Sequence, residues 1–199
     1  SVKYKSWQFQ PDNAKFDNVI FDDGITFGGA TALSKAAQFD GSSSILIPHR
    51  DEFDFTKDYT FAFWIQPEPA SIATVFSKRG TITEHIRDTD GTVRLSTHTK
   101  LVNEYPFDIF FDEEILNFWQ NDRNGINSVS SIDMVPDGSW YHVCYSISGS
   151  SCASYLNGSL WNTSTIKSIR NRHDIVIGAM STDYLNTSKG LAGVNSQFI

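Results

Sequence analysis

Three consecutive carboxylates, Asp112, Glu113 and Glu114 in the segment FFDEEILNF, are the side chains with the clearest potential for hydrolytic chemistry. Glycosidases use two carboxyl groups that flank the scissile bond, one as the acid and the other as the nucleophile or base. Asp112 and Glu114 share a strand face by parity, but no third carboxylate follows at the spacing of an E-x-D-x-x-E pattern. We interpret the cluster as a solvated loop or a charged sheet edge, and we predict no catalytic residue and no enzymatic activity.

Metal ligands and nucleophiles do not form recognisable motifs. The chain has no H-x-H, H-E-x-x-H or C-x-x-C motif, no G-x-S-x-G elbow and no phosphate-binding glycine loop. The five histidines are scattered: His49, His85, His98, His142 and His173. Asp88-x-Asp90-Gly91 starts like a calcium loop but lacks the acidic residue required downstream, which favours a hairpin turn. These residues predict no metal site and no cofactor.

Aromatic residues in polar surroundings are the candidates for a binding site, because sugars stack on rings beside amide and carboxylate groups. Trp161 follows an Asn-Gly turn signal, and Tyr184 lies in the polar segment STDYLNTSKG together with Asp183 and Asn186. Trp119 is followed by the polar sequence QNDRN. The sequence therefore gives these five residues as candidate ligand-binding residues. The alternative for each ring is packing or incidental exposure.

The charge balance limits the classes of partner. The chain has 16 Lys and Arg against 23 Asp and Glu, a net charge of −7. Sequence-independent binding to nucleic acid or to an anionic membrane surface depends on excess positive charge. No apolar run approaches the ~20 residues of a membrane-spanning helix. We therefore expect neither a nucleic-acid partner nor membrane insertion.

The two cysteines are too few for a disulfide framework. If Gly149-Ser150 is a hairpin turn, Cys152 lies opposite Ile147 and Cys144 opposite Tyr155. The two sulfur atoms then point to opposite faces of the sheet, because side chains alternate along a strand. We therefore predict two free thiols. The alternative, one disulfide bridge between them, would require a β-bulge in the hairpin.

Short alternating runs predict a fold made of strands. Tyr59, Phe61, Phe63 and Ile65 share one face, and Asn-Gly and Asp-Gly turn signals recur along the chain without helical periodicity between them. Such a pattern indicates a β-sandwich or jelly roll rather than βαβ units. Residues 99–124 show the least regular alternation. We expect seven residues to be buried between two sheets: Phe61, Phe63, Ile65, Val143, Tyr145, Ile147 and Leu156.

Three segments together resemble the concanavalin A-like, laminin G-like jelly-roll superfamily. Ala36 to Pro67 is similar to that family's opening, with F-D-G, a strand closing on I-P and the strand FAFWIQP. Gly138 to Gly158 is similar to its W-x-H-V hairpin and its Y-hydrophobic-N-G turn. Ile175 to Ala179 and Lys189 to Ile199 look like the penultimate strand and the start of the closing strand.

The resemblance implies an all-β, antiparallel two-sheet jelly-roll sandwich, which we expect to be a single domain over residues 1–199 and part of a longer chain. Some jelly rolls hold calcium through acidic or amide groups near the closing strand. Here no carboxylate follows Gly193 in the segment VNSQ. Calcium is therefore possible for the family but is not supported by these residues.

The resemblance and the lack of a catalytic set together favour a non-catalytic, lectin-like binding or adhesion module in a virion or cell-surface assembly. The ending GLAGVNSQFI is similar to jelly-roll modules of bacteriophage structural proteins. The expected partners are a glycan or surface polysaccharide and other structural subunits, at a virion or extracellular location. One alternative is a structural decoration domain of a capsid or tail without a sugar ligand, and another is a glycan-cleaving enzyme.

Overall fold

The computed structural model describes residues 15–17, 20–23, 26–27, 30–31, 35–39, 44–56, 58–67, 72–79, 81–85, 99–122, 124–178 and 197–198. Helical structure in these ranges is confined to a 3-10 turn at Asp51–Phe53. Within the same ranges, no helix is long and apolar enough to cross a membrane. The rest of the regular structure is β-strand, as the alternating sequence pattern predicts.

The strands are numbered in chain order. They are β1 (Lys15–Asp17), β2 (Ile20–Asp23), β3 (Thr26–Phe27), β4 (Ala30–Thr31), β5 (Lys35–Gln38), β6 (Ser44–Ile47), β7 (Tyr59–Gln66), β8 (Ile72–Ser77), β9 (Thr81–His85), β10 (Thr99–Asn103), β11 (Tyr105–Asp112), β12 (Ile115–Asp122), β13 (Gly125–Asp133), β14 (Tyr141–Ser148), β15 (Ser151–Leu156), β16 (Ser159–Thr165), β17 (Ile175–Ile177) and β18 (Gln197–Phe198).

Two seven-stranded antiparallel sheets form the sandwich. Sheet A has the order β1-β6-β17-β8-β11-β12-β13, and sheet B has the order β16-β15-β14-β7-β18-β5-β2. Strands β3 and β4 pair with each other, and so do β9 and β10. Neighbours in the sheets are often distant in sequence, such as β8 beside β17 in sheet A. This arrangement confirms the predicted all-β jelly-roll sandwich.

The main core lies between the two sheets and confirms the predicted buried face of β7. Phe61, Phe63 and Ile65 are buried there together with residues of β14, β11 and β12. Of the seven predicted core residues, six are buried and Leu156 is partly buried against the cluster. Phe61 meets Phe107 edge to face with ring centroids 4.9 Å apart, so the two sheets interlock through aromatic side chains.

The hairpin of β14 and β15 has the predicted register. Cys144 pairs with Tyr155 and Ile147 pairs with Cys152, across a turn at Gly149 and Ser150. Both cysteines are free; Cys152 is buried in the main core and Cys144 is half-buried. Burial raises the pKa of both thiols, that of Cys152 to about 11.

The weak alternation of residues 99–124 does not mean that strands are absent there. This segment contains β10 and two eight-residue strands, β11 and β12, joined by a tight turn at Glu113 and Glu114. Alternation is weak in β11 because side chains on both of its faces are buried, including Asp108 on the outer face. A strand covered on both sides loses the period-2 pattern that a half-buried strand shows.

Candidate functional site

The outer face of sheet A carries a group of aromatic and polar side chains at β11, β12 and β13. Along β12, Leu116 and Phe118 enter the core between the sheets. The alternate residues Asn117 and Trp119 therefore point to the other side, away from sheet B. In the cross-strand register, Asn117 lies between Phe110 and Ser131, and Trp119 lies between Asp108 and Ser128. This set of six residues is called the outer platform below.

An aromatic pair forms the centre of the outer platform. The rings of Phe110 and Trp119 meet edge to face, with centroids 4.8 Å apart and planes at 87°. Both rings are half-buried, so each retains a solvent-accessible part. Edge-to-face contact is a favourable arrangement for two aromatic rings. It fixes the orientation of the Trp119 ring, which is what a stacking surface requires.

Amide and hydroxyl groups lie directly beside this pair. The Ser131 hydroxyl donates a hydrogen bond to Oδ1 of Asn117 at 2.9 Å, and Nδ2 of Asn117 donates to the Ile115 carbonyl at 3.2 Å. Ser131 and Ser128 are exposed, whereas Asn117 is buried. The outer platform is therefore open toward β13, and the exposed hydroxyl groups there remain accessible to a ligand.

Trp161 stands at the edge of the sandwich, next to the outer platform. It lies on β16, the edge strand of sheet B, and its ring is 43% exposed. Its indole Nε1 donates to the backbone oxygen of Ser131 at 3.0 Å, although Ser131 lies in the edge strand of sheet A. Trp161 thus provides a hydrogen-bond donor for a carbonyl of an edge strand. Its indole ring lies on the other side of β13 from that of Trp119.

A buried polar network holds these two edge strands together. The Ser130 hydroxyl donates to that of Ser154 at 3.0 Å, and Ser154 in turn bonds to Oδ1 of Asn162. Asn127 also reaches from β13 to the Thr165 carbonyl on β16, at 3.4 Å. Such contacts fix the spacing of the two edge strands that carry Ser131 and Trp161.

On the opposite side, toward β8, the outer platform is closed by an ion pair. Nη2 of Arg79 lies 2.8 Å from Oδ2 of Asp108, and it donates to the hydroxyl of buried Tyr105 at 3.0 Å. Burial raises the pKa of Asp108, although Arg79 and the Ser77 hydroxyl act in the opposite direction. Asp108 is 1% exposed, so its carboxylate lies beside Trp119 in the register without contacting solvent.

The polar residues that follow Trp119 have mainly structural partners. Asp122 accepts hydrogen bonds from Lys167 at 2.6 Å and from the backbone N–H of Asn124 at 2.8 Å. These bonds hold the pKa of Asp122 below its usual range. Gln120 points into the protein and bonds to the carbonyls of Pro106 and Lys167. Gln120 and Asp122 are therefore held by other parts of the chain, and the place of Trp119 in a binding site stays a prediction.

The remaining candidates from the sequence have different outcomes. Asp183, Tyr184 and Asn186 lie outside the described residues, and their place in a site stays a prediction. Asp112, Glu113 and Glu114 are exposed at the β11–β12 turn, as expected of a solvated edge. No group of three or more potential metal ligands occurs within the described ranges.

Phe110, Asn117 and Ser131 were not identified from the sequence. Phe110 is nine residues from Trp119, and Ser131 is twelve residues beyond it. These sequence separations fit three consecutive antiparallel strands, β11, β12 and β13, joined by short turns. Recognising that meander in the sequence would have placed the three residues beside Trp119. It was missed because the hydrophobic alternation of this segment is weak.

A second polar cluster lies in the interior, away from the outer platform. Lys78 is fully buried, and its ammonium donates to the Asn171 carbonyl, to Oδ1 of Asn171 and to the His173 carbonyl, at 2.9, 2.9 and 2.8 Å. Nδ1 of His49 lies 3.2 Å from Nζ of Lys78. Burial lowers the pKa of Lys78 to about 8, while Asp54 and Asp174 oppose the shift.

This cluster ties a segment without regular structure to the ends of several strands. Nδ2 of Asn171 donates to the carbonyls of Lys78 and Glu104, at 2.8 and 2.9 Å. Asp174 accepts from the backbone N–H of His49 at 2.9 Å. Lys78 therefore acts as a fixed internal cation that holds the segment from 166 to 174 against sheet A. No sequence motif indicated this role.

Comparisons with known proteins agree with this architecture. The sequence model described as the Concanavalin A-like lectin/glucanases superfamily matches residues 39–192. A search of curated protein sequences gives no significant match.

Several solved structures share the fold at low sequence identity. The binding domain of botulinum neurotoxin serotype D, solved with N-acetylneuraminic acid, gives a TM-score of 0.59 at 13% identity, over 94% of this chain and 42% of that chain. The binding domain of Paraclostridial Mosquitocidal Protein 1 gives 0.56 at 15% identity, over 94% and 43%. Domain 4 of AbnA, a GH43 extracellular arabinanase from Geobacillus stearothermophilus, solved with arabinotriose, gives 0.54 at 14% identity, over 93% and 79%.

These identities support a likeness of fold alone. The chain spans about four-tenths of the two toxin binding domains and about four-fifths of the arabinanase domain.

Proposed function

The chain belongs to the concanavalin A-like lectin/glucanases superfamily, and we propose that it is a non-catalytic module that binds a saccharide on the outer platform. The observation that carries this proposal is the Phe110–Trp119 pair, whose orientation is fixed and whose rings remain partly accessible on a sheet face. An aromatic ring offers a flat apolar surface to the apolar face of a sugar.

The polar groups around the pair suit the hydroxylated rim of a sugar ring. Ser128 and Ser131 are exposed on the next strand and can donate or accept hydrogen bonds. Trp161 lies beyond β13, so a saccharide of more than one ring that crosses this strand would reach both indoles. Trp119 and Trp161 are thus the two sequence candidates that we assign to one site.

Catalysis is not part of this proposal. Asp108 is the carboxylate nearest to Trp119 in the register, but it is buried and paired with Arg79. The exposed carboxylates at the β11–β12 turn lie at the end of the strands, one row beyond the aromatic pair. We also propose that binding needs no calcium and that the module acts outside the cell.

Three of the structural neighbours are toxin and arabinanase domains; two are binding domains, and two were solved with a bound saccharide. These ligands give a reason to test saccharides first. The proposal that this chain binds a saccharide is based on its own outer platform and not on those proteins.

A glycan array tests the proposal. The wild type should be retained by one class of saccharide, equally with and without a chelator, and should release no reducing ends from it. The Trp119→Ala variant should lose retention while its far-ultraviolet circular dichroism stays unchanged. Retention of the Trp119→Ala variant at the wild-type level would refute the site, and turnover of a retained glycan would refute the non-catalytic assignment.

A further inference from the structure

The three strands of the outer platform and the turns that join them are rich in negative charge. Residues 105–122 and 124–133 contain six acidic residues and no Lys, Arg or His. Arg123, at the β12–β13 turn, falls in the gap between these ranges and lies outside the described residues. The six are Asp108, Asp112, Glu113, Glu114, Asp122 and Asp133.

Two of the six carboxylates are neutralised by partners from other parts of the chain. Asp108 pairs with Arg79 at 2.8 Å, and Asp122 pairs with Lys167 at 2.6 Å. Both pairs lie on the side of the outer platform that faces the β12–β13 turn, since Asp108 is opposite Trp119 and Asp122 is opposite Gly125. Among the described residues, both carboxylates at this end are therefore compensated.

The other four carboxylates lie together at the opposite end. Asp112 and Asp133 flank Ile115 in the cross-strand register, and Glu113 and Glu114 form the adjoining turn. All four are exposed, and none has an ion-pair partner among the described residues. The row of Asp112 and Asp133 is two residues along each strand from Phe110 and Ser131, a distance of roughly 7 Å.

We propose that this acidic end makes the outer platform selective for uncharged saccharides and excludes glycans that carry carboxylate or sulfate groups. This inference rests on the proposed saccharide-binding function and names its ligand class. A ligand carboxylate beside Ser131 would meet two fixed negative charges within the Debye length at physiological ionic strength, about 8 Å. Like charges brought together in this way weaken binding.

A preference for uncharged saccharides would distinguish this chain from a structural neighbour of the same fold. The botulinum neurotoxin serotype D domain was solved with N-acetylneuraminic acid, an acidic sugar. The two described cations that form ion pairs with residues of β11 and β12, Arg79 and Lys167, are already engaged by Asp108 and Asp122. An acidic sugar would therefore meet carboxylates of the protein there, and no unengaged cation lies on these strands among the described residues.

The test compares uncharged glycans with counterparts that carry an additional acidic group or acidic sugar. Methyl-esterified and de-esterified galacturonan form one such pair, and lactose and sialyllactose form another. The panel also includes arabinotriose. The wild type is compared with an Asp112→Asn, Asp133→Asn double variant, at low and at physiological salt. An Asp51→Asn, Glu52→Gln double variant, which removes two exposed carboxylates outside the outer platform, is the matched control and should bind like the wild type.

We expect the wild type to retain uncharged members only. The double variant should keep that retention and should gain roughly tenfold in binding of acidic counterparts at low salt, with a smaller gain at physiological salt. Stronger wild-type binding of acidic than of uncharged members would overturn the selectivity while leaving saccharide binding in place. Loss of uncharged retention in the double variant would also overturn it, because the carboxylates would then contact the sugar. Retention of no glycan by either protein would overturn the proposed function itself.

Discussion

Replacing Lys78 by methionine should destabilise the fold by about 3 kcal/mol. Methionine keeps the length of the apolar stem but removes the ammonium, which donates three hydrogen bonds to oxygens of Asn171 and His173. A hydrogen bond from a charged group contributes about 2 kcal/mol, hence about 6 kcal/mol for three. The change also removes a charge that is costly to bury. The lowering of the Lys78 pKa from 10.5 to about 8 corresponds to a burial cost of roughly 3 kcal/mol, which methionine does not carry. The difference between these two contributions is the net loss of about 3 kcal/mol.

The assay is urea unfolding followed by tryptophan fluorescence, with Lys167→Met as the matched control. Lys167 is paired with the Asp122 carboxylate, but its side chain is 50% exposed, and its loss should cost less than about 1 kcal/mol. If the two variants are equally stable, the buried ammonium does not hold the segment from 166 to 174 in place.

The pH dependence of the same variant gives an independent check. The pKa of Lys78 is about 8 in the folded protein and 10.5 as its reference value, so the unfolded chain binds more protons between these values. The stability contributed by this residue therefore rises with pH. The difference in unfolding free energy between wild type and Lys78→Met should grow by about 1 kcal/mol from pH 7 to pH 9. A difference that stays constant or shrinks would contradict the lowered pKa.

Three further predictions follow from the packing. Phe63→Ala should cost about 3–5 kcal/mol in urea unfolding, because the ring is buried between the sheets; a loss below about 1 kcal/mol would mean that the wrong face of β7 was assigned. A reducing agent should leave the melting temperature unchanged, because Cys144 and Cys152 are free; a decrease would reveal a bridge. Trp161→Phe should cost about 1 kcal/mol through loss of the bond to Ser131, and an unchanged stability would show that this bond is dispensable.

Much of the fold could be predicted from local patterns. The face of β7 that carries Phe61, Phe63 and Ile65 alternates strictly, because it is half-buried. The pairing of Cys152 with Ile147 follows from the position of one turn at Gly149. In both cases the information lies within a few consecutive residues.

The candidate site could be predicted only in part, for a physical reason. Trp119 stands out by its chemistry, but its neighbours Phe110 and Ser131 depend on cross-strand register. That register shifts between β11 and β12 at Tyr105/Asp108 and between β12 and β13 at Phe118/Trp119, where bulges insert an extra residue. Parity along one strand does not reveal such shifts. The contact of Trp161 with the other sheet depends on the packing of two edges, which no local pattern encodes.

The most direct test of saccharide binding on the outer platform is calorimetric titration of Trp119→Ala and Trp64→Ala with the glycan that the wild type retains best. Trp64 is also half-buried, but it lies on the outer face of sheet B, with its ring 5.1 Å from that of His142. We predict that Trp119→Ala weakens binding at least tenfold, about 1.4 kcal/mol, and that Trp64→Ala binds like the wild type. Equal affinity of Trp119→Ala and the wild type, or selective loss in Trp64→Ala, would contradict the account.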